Sequence, residues 1–151
     1  MYWRRPLTRL EAGLYAGLVG ILVVVFASHM LDYLEAAERA AMQSTLINTT
    51  AAINVRFAAN LVGQRDSPGD WKRRNPFEIA GATPPNFSRN GDPGHLTSGQ
   101  WGFDAERAEL VYLPRFGMTL HTRSGDGALR FRLVRGVVGY SLEPTAPFVW
   151  K

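Results

Sequence analysis

The longest apolar run in the chain, AGLYAGLVGILVVVFASHML, extends from Ala12 to Leu31 without a charged residue. A helix of that length rises about 30 Å, the thickness of a bilayer's hydrocarbon core. Charge bounds it on both sides, with Arg4, Arg5 and Arg9 before it and Asp32, Glu35 and Glu38 after it. A cleavable secretory signal has a shorter apolar middle, about 7–15 residues, closed by a small-x-small site. Here His29, Met30 and Leu31 stand where that site would lie. A buried core helix rarely stays uncharged for so long in a small protein. The run therefore predicts a retained transmembrane helix over 12–31, preceded by a basic leader over 1–11. The basic flank keeps the N-terminus cytoplasmic and sends the rest across the membrane. In a bacterium this means the inner membrane, a single pass and a periplasmic C-terminal domain.

The helical pattern does not end with the span. No Pro or Gly occurs from Met30 to Val62, and the segment is rich in Ala, Leu and Glu, which favour helix. Leu31, Leu34, Met42, Leu46, Ile53, Phe57 and Leu61 form one stripe at roughly 3.6-residue spacing, interrupted by Glu38. The expected element is a helix continuation over 32–62, and a single rod from Ala12 onward. Sixteen consecutive residues, Ala40 to Val55, carry no charge, which is unusual for a helix facing water on its free side. Thr45 and Ala52 are seven residues apart and are expected to point away from the sheet-facing stripe.

Beyond Val62 the pattern changes. Clusters of Gly, Pro, Asn, Asp and Ser between Gly63 and Gln100 mark turns, with one short element expected at Asn75–Gly81. Period-two runs follow. Gln100–Phe103 and Glu109–Leu113 flank a turn at Asp104–Ala108, and Gly117–Thr122 is expected to extend that sheet. In Ala128–Val134, Leu129, Phe131 and Leu133 alternate with Arg130 and Arg132, and Val137–Leu142 continues after a bend at Gly136. The fold class is α+β. A long N-terminal helix leads into a loop-rich domain over 63–151 holding three to five antiparallel strands. One face of the sheet lies against the helix and the other is wet.

Composition narrows the chemistry. The 151 residues are 46% hydrophobic and include 8 Phe, 4 Trp and 5 Tyr, which is a core-forming mixture. There is no cysteine, so thiolate metal sites, disulfides and cysteine nucleophiles are excluded. His29, His95 and His121 have no partner at metal-ligand spacing, and no phosphate-cradling loop or nucleophile elbow is present. Asp104, Glu106 and Glu109 read as solvated hairpin residues, and Lys72-Arg73-Arg74 as a solvated run. The reading is a non-enzyme without cofactor or metal. Arg130, Arg132 and Arg135 around Phe131 are the one candidate nucleic-acid surface. After Gly63, however, twelve basic residues meet nine acidic ones, so the field is weak and nucleic acid is not an expected partner.

Two further features point to helix packing. Gly13, Gly17 and Gly20 recur about one turn apart and let another helix approach closely. Glu11 sits at the edge of the span, where a carboxylate favours pairing. Leu7-Thr8-Arg9-Leu10-Glu11 followed by the apolar run resembles the start of type IV pilins and type II secretion pseudopilins. Trp101-Gly-Phe-Asp104 with Glu109-Leu-Val-Tyr112 resembles the sheet region of minor pilins of the mannose-sensitive haemagglutinin and general secretion type. The resemblance covers residues 4–62 in pattern. It implies a pilin-like subunit acting in type II secretion or pilus assembly, with other pilin-like subunits, inner-membrane assembly proteins and membrane lipid as partners. It also implies that Glu11 pairs with the free amine of a neighbouring subunit and that leader cleavage falls between Pro6 and Leu7. Pro6 stands where the family has Gly, and Pro restricts its predecessor and lacks an N–H. The leader is therefore expected to be retained, which would remove the amine at Leu7. The alternative from a different class is a membrane-anchored periplasmic binding or accessory domain that enters no filament.

Overall fold

The computed structural model describes residues 8–63, 68–88 and 93–150; Pro6 and Leu7 lie outside these. A single unbroken helix, α1, runs over Arg9–Gly63, 55 residues. Its apolar first half is long enough to cross a membrane, with a mean hydropathy of 2.2 over its most apolar window. Two 3-10 turns, Pro68–Arg73 and Pro93–His95, flank the short helix α2, Pro76–Ala80. The chemistry of α2 is local. The Asn75 side chain accepts a hydrogen bond from the Phe77 N–H at 3.0 Å, Pro76 opens the helix, and Gly81 closes it in the left-handed region at φ 66°.

Six strands follow: β1 Gln100–Asp104, β2 Glu109–Leu113, β3 Leu120–Thr122, β4 Leu129–Arg135, β5 Tyr140–Pro144 and β6 Phe148–Trp150. Four of them form an antiparallel sheet in the order β1-β2-β4-β5. The expectation that Gly117–Thr122 extends this sheet fails. β3 instead pairs with β6, Leu120 opposite Trp150, in a separate two-stranded sheet. Phe148–Trp150 is too short to show a period of two, which is why six strands replace the three to five expected.

Register puts Trp101, Tyr112 and Leu129 in one row and Phe103, Leu110 and Phe131 in the next, all toward α1. With Met42, Phe77 and Trp150 they build one core cluster. A second gathers Ile53 and Phe57 of α1 with Trp71, Ile79, Leu133 and Tyr140. Phe57 meets Tyr140 edge-on with ring centroids 5.3 Å apart. The outer face is not simply wet. Val111 lies in the outer row with Gly102 and Arg130, yet it is fully buried. The loop after the second 3-10 turn covers this face, and Leu96 packs so closely on Gly102 that a Cβ there would lie 2.9 Å from the leucine methyl.

Candidate functional site

The two faces of α1 hold the features with functional content. The sheet-facing side buries Met42, Ile53 and Phe57 of the expected stripe and adds two carboxylates at its N-terminal end. Leu31, Leu34 and Leu61 are 41%, 40% and 62% exposed, whereas Glu35 is 3% exposed. One oxygen of Glu35 accepts from the Thr119 N–H at 2.8 Å, the Thr119 hydroxyl at 2.9 Å and the Trp150 indole N–H at 2.8 Å. Glu38, one turn on, accepts from the Tyr112 hydroxyl at 2.6 Å and from the backbone N–H groups of Arg115 and Phe116, each at 2.7 Å. Arg39 donates to the Trp150 carbonyl at 2.7 Å. Three adjacent polar residues thus fasten the 114–119 loop and β6 to the helix directly after the apolar run. Burial pushes the Glu35 carboxyl up, but the Thr119 and Trp150 donors and the Arg39 charge outweigh it and hold it below the ordinary carboxylate value. The Tyr112 hydroxyl is pushed far up by burial, with the Glu38 carboxylate adding to the effect.

Further along α1, Asn54 holds the β4–β5 turn. Its carbonyl oxygen accepts from the Tyr140 N–H at 2.8 Å and its amide donates to the Tyr140 carbonyl at 2.9 Å, as a strand partner would. Thr45 and Ala52, expected to point away, are both half-buried. Ala52 packs against the second core cluster, and the Thr45 hydroxyl folds back onto the Ala41 carbonyl at 2.9 Å. The expected stripe holds at its centre, where Met42, Ile53 and Phe57 are buried; Thr45 and Ala52 lie roughly a quarter turn from that line, not opposite it. With Glu35 and Glu38 also facing inward, the buried line runs through Met42, Thr49, Ile53 and Phe57.

The opposite face is laid bare by the same assignment. Tyr33, Ala37, Ala40, Ser44, Ile47, Ala51, Val55 and Ala58 recur every three or four residues and all are exposed. Ser44 is the one polar member. Ile47 is 67% and Val55 70% exposed.

The other residues singled out by sequence fall apart spatially. Glu11 is not a free carboxylate. It accepts from the Thr8 N–H at 2.8 Å and the Thr8 hydroxyl at 3.0 Å, while its own N–H donates to that hydroxyl at 3.3 Å. This is a reciprocal capping box, and the Thr8-x-x-Glu11 spacing was its sequence signal. Gly13, Gly17 and Gly20 are open, with no atom within 4 Å of a Cβ built on any of them. Gly17 and Gly20 stand about five turns before Glu35 and Glu38, hence on the sheet side of the rod. Phe131 lies in the core while Arg130 pairs with Asp126 and Arg132 with Glu109, both at 2.7 Å. Arg135 lies over the Phe57 ring, 5.7 Å from its centroid. Each of the three arginines of the candidate nucleic-acid surface thus has a partner within the chain. Among the described residues no group of three His, Cys, Asp or Glu side chains converges as a metal site would require.

The architecture is therefore an α+β protein with one apolar N-terminal helix of membrane-crossing length and a small antiparallel domain hung on its second half. Comparison with protein-family profiles, curated proteins and solved structures finds no match for this chain.

Proposed function

We propose that the chain is a non-catalytic, membrane-anchored subunit of the pilin-like, minor pseudopilin type, acting through packing of α1 against the helices of other subunits in a secretion or pilus machine. In this reading the apolar half of α1 crosses the bacterial inner membrane with its N-terminus in the cytoplasm, following the charge bias of Arg4, Arg5 and Arg9 against Asp32, Glu35 and Glu38. The domain then stands in the periplasm. Glu11 caps its own helix and remains close enough to the span's edge to meet a neighbour's cation.

The observation that carries the proposal is the bare stripe opposite the sheet. Monomeric proteins seldom leave a long contiguous apolar surface in water, and such surfaces mark contacts. Four of its eight members are alanine. Small side chains permit helix axes to approach to about 8 Å, at the close end of the usual range. A helix that only held a domain on a membrane would gain nothing from keeping this exposed face free of charge.

Ala40→Glu and Ala51→Glu test this, because both positions are exposed and directed away from the sheet. Each change is expected to leave the protein folded, within about 0.5 kcal/mol. Buried at a helix–helix contact, the same carboxylate has no partner and costs several kcal/mol. Co-purification with other pilin-like subunits, and the secretion or piliation that depends on them, are expected to be lost. Gln43→Glu, on the flank of the stripe, is the control. Normal assembly of both alanine variants would overturn the proposal in favour of a solitary anchored domain.

A further inference from the structure

A cavity of about 330 Å³ opens where the last turns of α1 meet the first 3-10 turn and α2. That volume lies at the lower end of small-molecule sites, which run from about 300 to 1,000 Å³. Arg56 and Asn60 of α1, Trp71 and Arg74 of the following segment, and Glu78 and Ile79 of α2 line it. Trp71 and Ile79 are 5% and 4% exposed and form an apolar floor.

Several arginines of the chain are engaged: Arg39 with a carbonyl, Arg130 and Arg132 with carboxylates, Arg135 with an aromatic face. Among the described residues, neither Arg56 nor Arg74 has a carboxylate within 4.0 Å, although Glu78 shares their cavity. Opposite charges therefore line one small space without touching. Arg56 reaches across to the end of α2. Its guanidinium occupies the place where a side chain on residue 81 would begin, and Gly81 leaves that place open while capping α2 at φ 66°. This guanidinium is exposed and can donate the paired hydrogen bonds that a carboxylate accepts.

We propose that this cavity binds a small molecule carrying both a carboxylate and an amino group on a short apolar body, the chemistry of a free α-amino acid with an apolar side chain. The carboxylate meets the two guanidiniums, the ammonium meets Glu78, and the side chain rests on Trp71 and Ile79. A simple anion leaves Glu78 opposing it and the floor unused, whereas an apolar zwitterion engages both guanidiniums, Glu78 and the floor together. The site makes no use of the bare stripe of α1, so it stands or falls independently of the assembly proposal.

The test is calorimetric titration of the full chain in detergent micelles with L-leucine, N-acetyl-L-leucine, L-leucinamide and inorganic phosphate. Leucine is expected to bind saturably, and the two blocked derivatives and phosphate at least about tenfold more weakly, the scale of one charged hydrogen bond. Arg56→Gln and Arg74→Gln are each expected to weaken leucine by about tenfold or more. Arg73→Gln, in the same basic run but outside the cavity, is expected to leave it unchanged. Four results would overturn the proposal: no leucine binding at about 10 mM, leucinamide or acetyl-leucine equal to leucine, phosphate equal to leucine, or a loss in Arg73→Gln as large as in Arg74→Gln.

Discussion

Replacing Glu35 tests whether the helix is fastened to the domain by buried carboxylate chemistry or by apolar contact alone. A single Glu35 oxygen receives three hydrogen bonds of 2.8 to 2.9 Å, from Thr119 and Trp150. Hydrogen bonds to a charged group contribute about 1.5–3 kcal/mol each, and three sharing one acceptor are not additive. Truncation in Glu35→Ala removes the common acceptor and leaves a void beside Trp150, for an expected cost of about 3–5 kcal/mol. Glu35→Gln keeps an oxygen and the volume but loses the charge facing Arg39, for about 1–2 kcal/mol. Urea unfolding of the full chain in micelles, followed by tryptophan fluorescence, measures both, since Trp150 is one of four tryptophans. The pH dependence adds an independent check. The Glu35 carboxyl titrates below the ordinary value of 4.5 when folded. Its stabilising share is therefore complete above that value and is lost as pH falls through the lower, folded one. The wild-type midpoint should fall with acidification in that range, and Glu35→Gln should flatten the decline. A cost under about 1 kcal/mol for Glu35→Ala, or equal costs for the two variants, would refute the reasoning.

Three other outcomes are expected. Asn54→Ala should cost about 1–3 kcal/mol through its two bonds to Tyr140. Gly139→Ala should disturb the same contact, because its Cβ would lie 2.5 Å from the Asn54 oxygen, so the double variant should be less than additive in urea unfolding. Phe131→Ala, at a site 2% exposed between Trp101 and Phe148, should cost about 3–5 kcal/mol in the same measurement. For topology, a reporter joined after Lys151 should be active only where export is required for activity, and a fusion active in the cytoplasm would reverse the proposed orientation.

The parts of the fold legible in sequence are those with a strong period. Met30–Val62 has no helix breaker, and α1 is continuous. Leu129, Phe131 and Leu133 alternate with arginines, and β4 presents them inward as that alternation requires. What was not legible depends on partners far away in the chain. The donors that draw Glu35 and Glu38 inward come from the 112–119 segment and Trp150, and none of them has a sequence signature. The cavity is similar, since Arg56 of α1 and Arg74 before α2 line one space without any motif that pairs them in sequence. The bare stripe shows the difficulty most directly. The uncharged stretch from Ala40 to Val55 was plain in composition, but alanine is equally at home on either side of a helix and carries no phase. The Leu46–Ile53–Phe57 line keeps its expected phase, but Thr45 and Ala52 lie only roughly a quarter turn from it and are half-buried. What hydropathy alone misses is that two glutamates join that line, because a carboxylate given three donors can be buried where an unpartnered one cannot. The same two residues pin the domain to the helix and share the face opposite the bare apolar stripe.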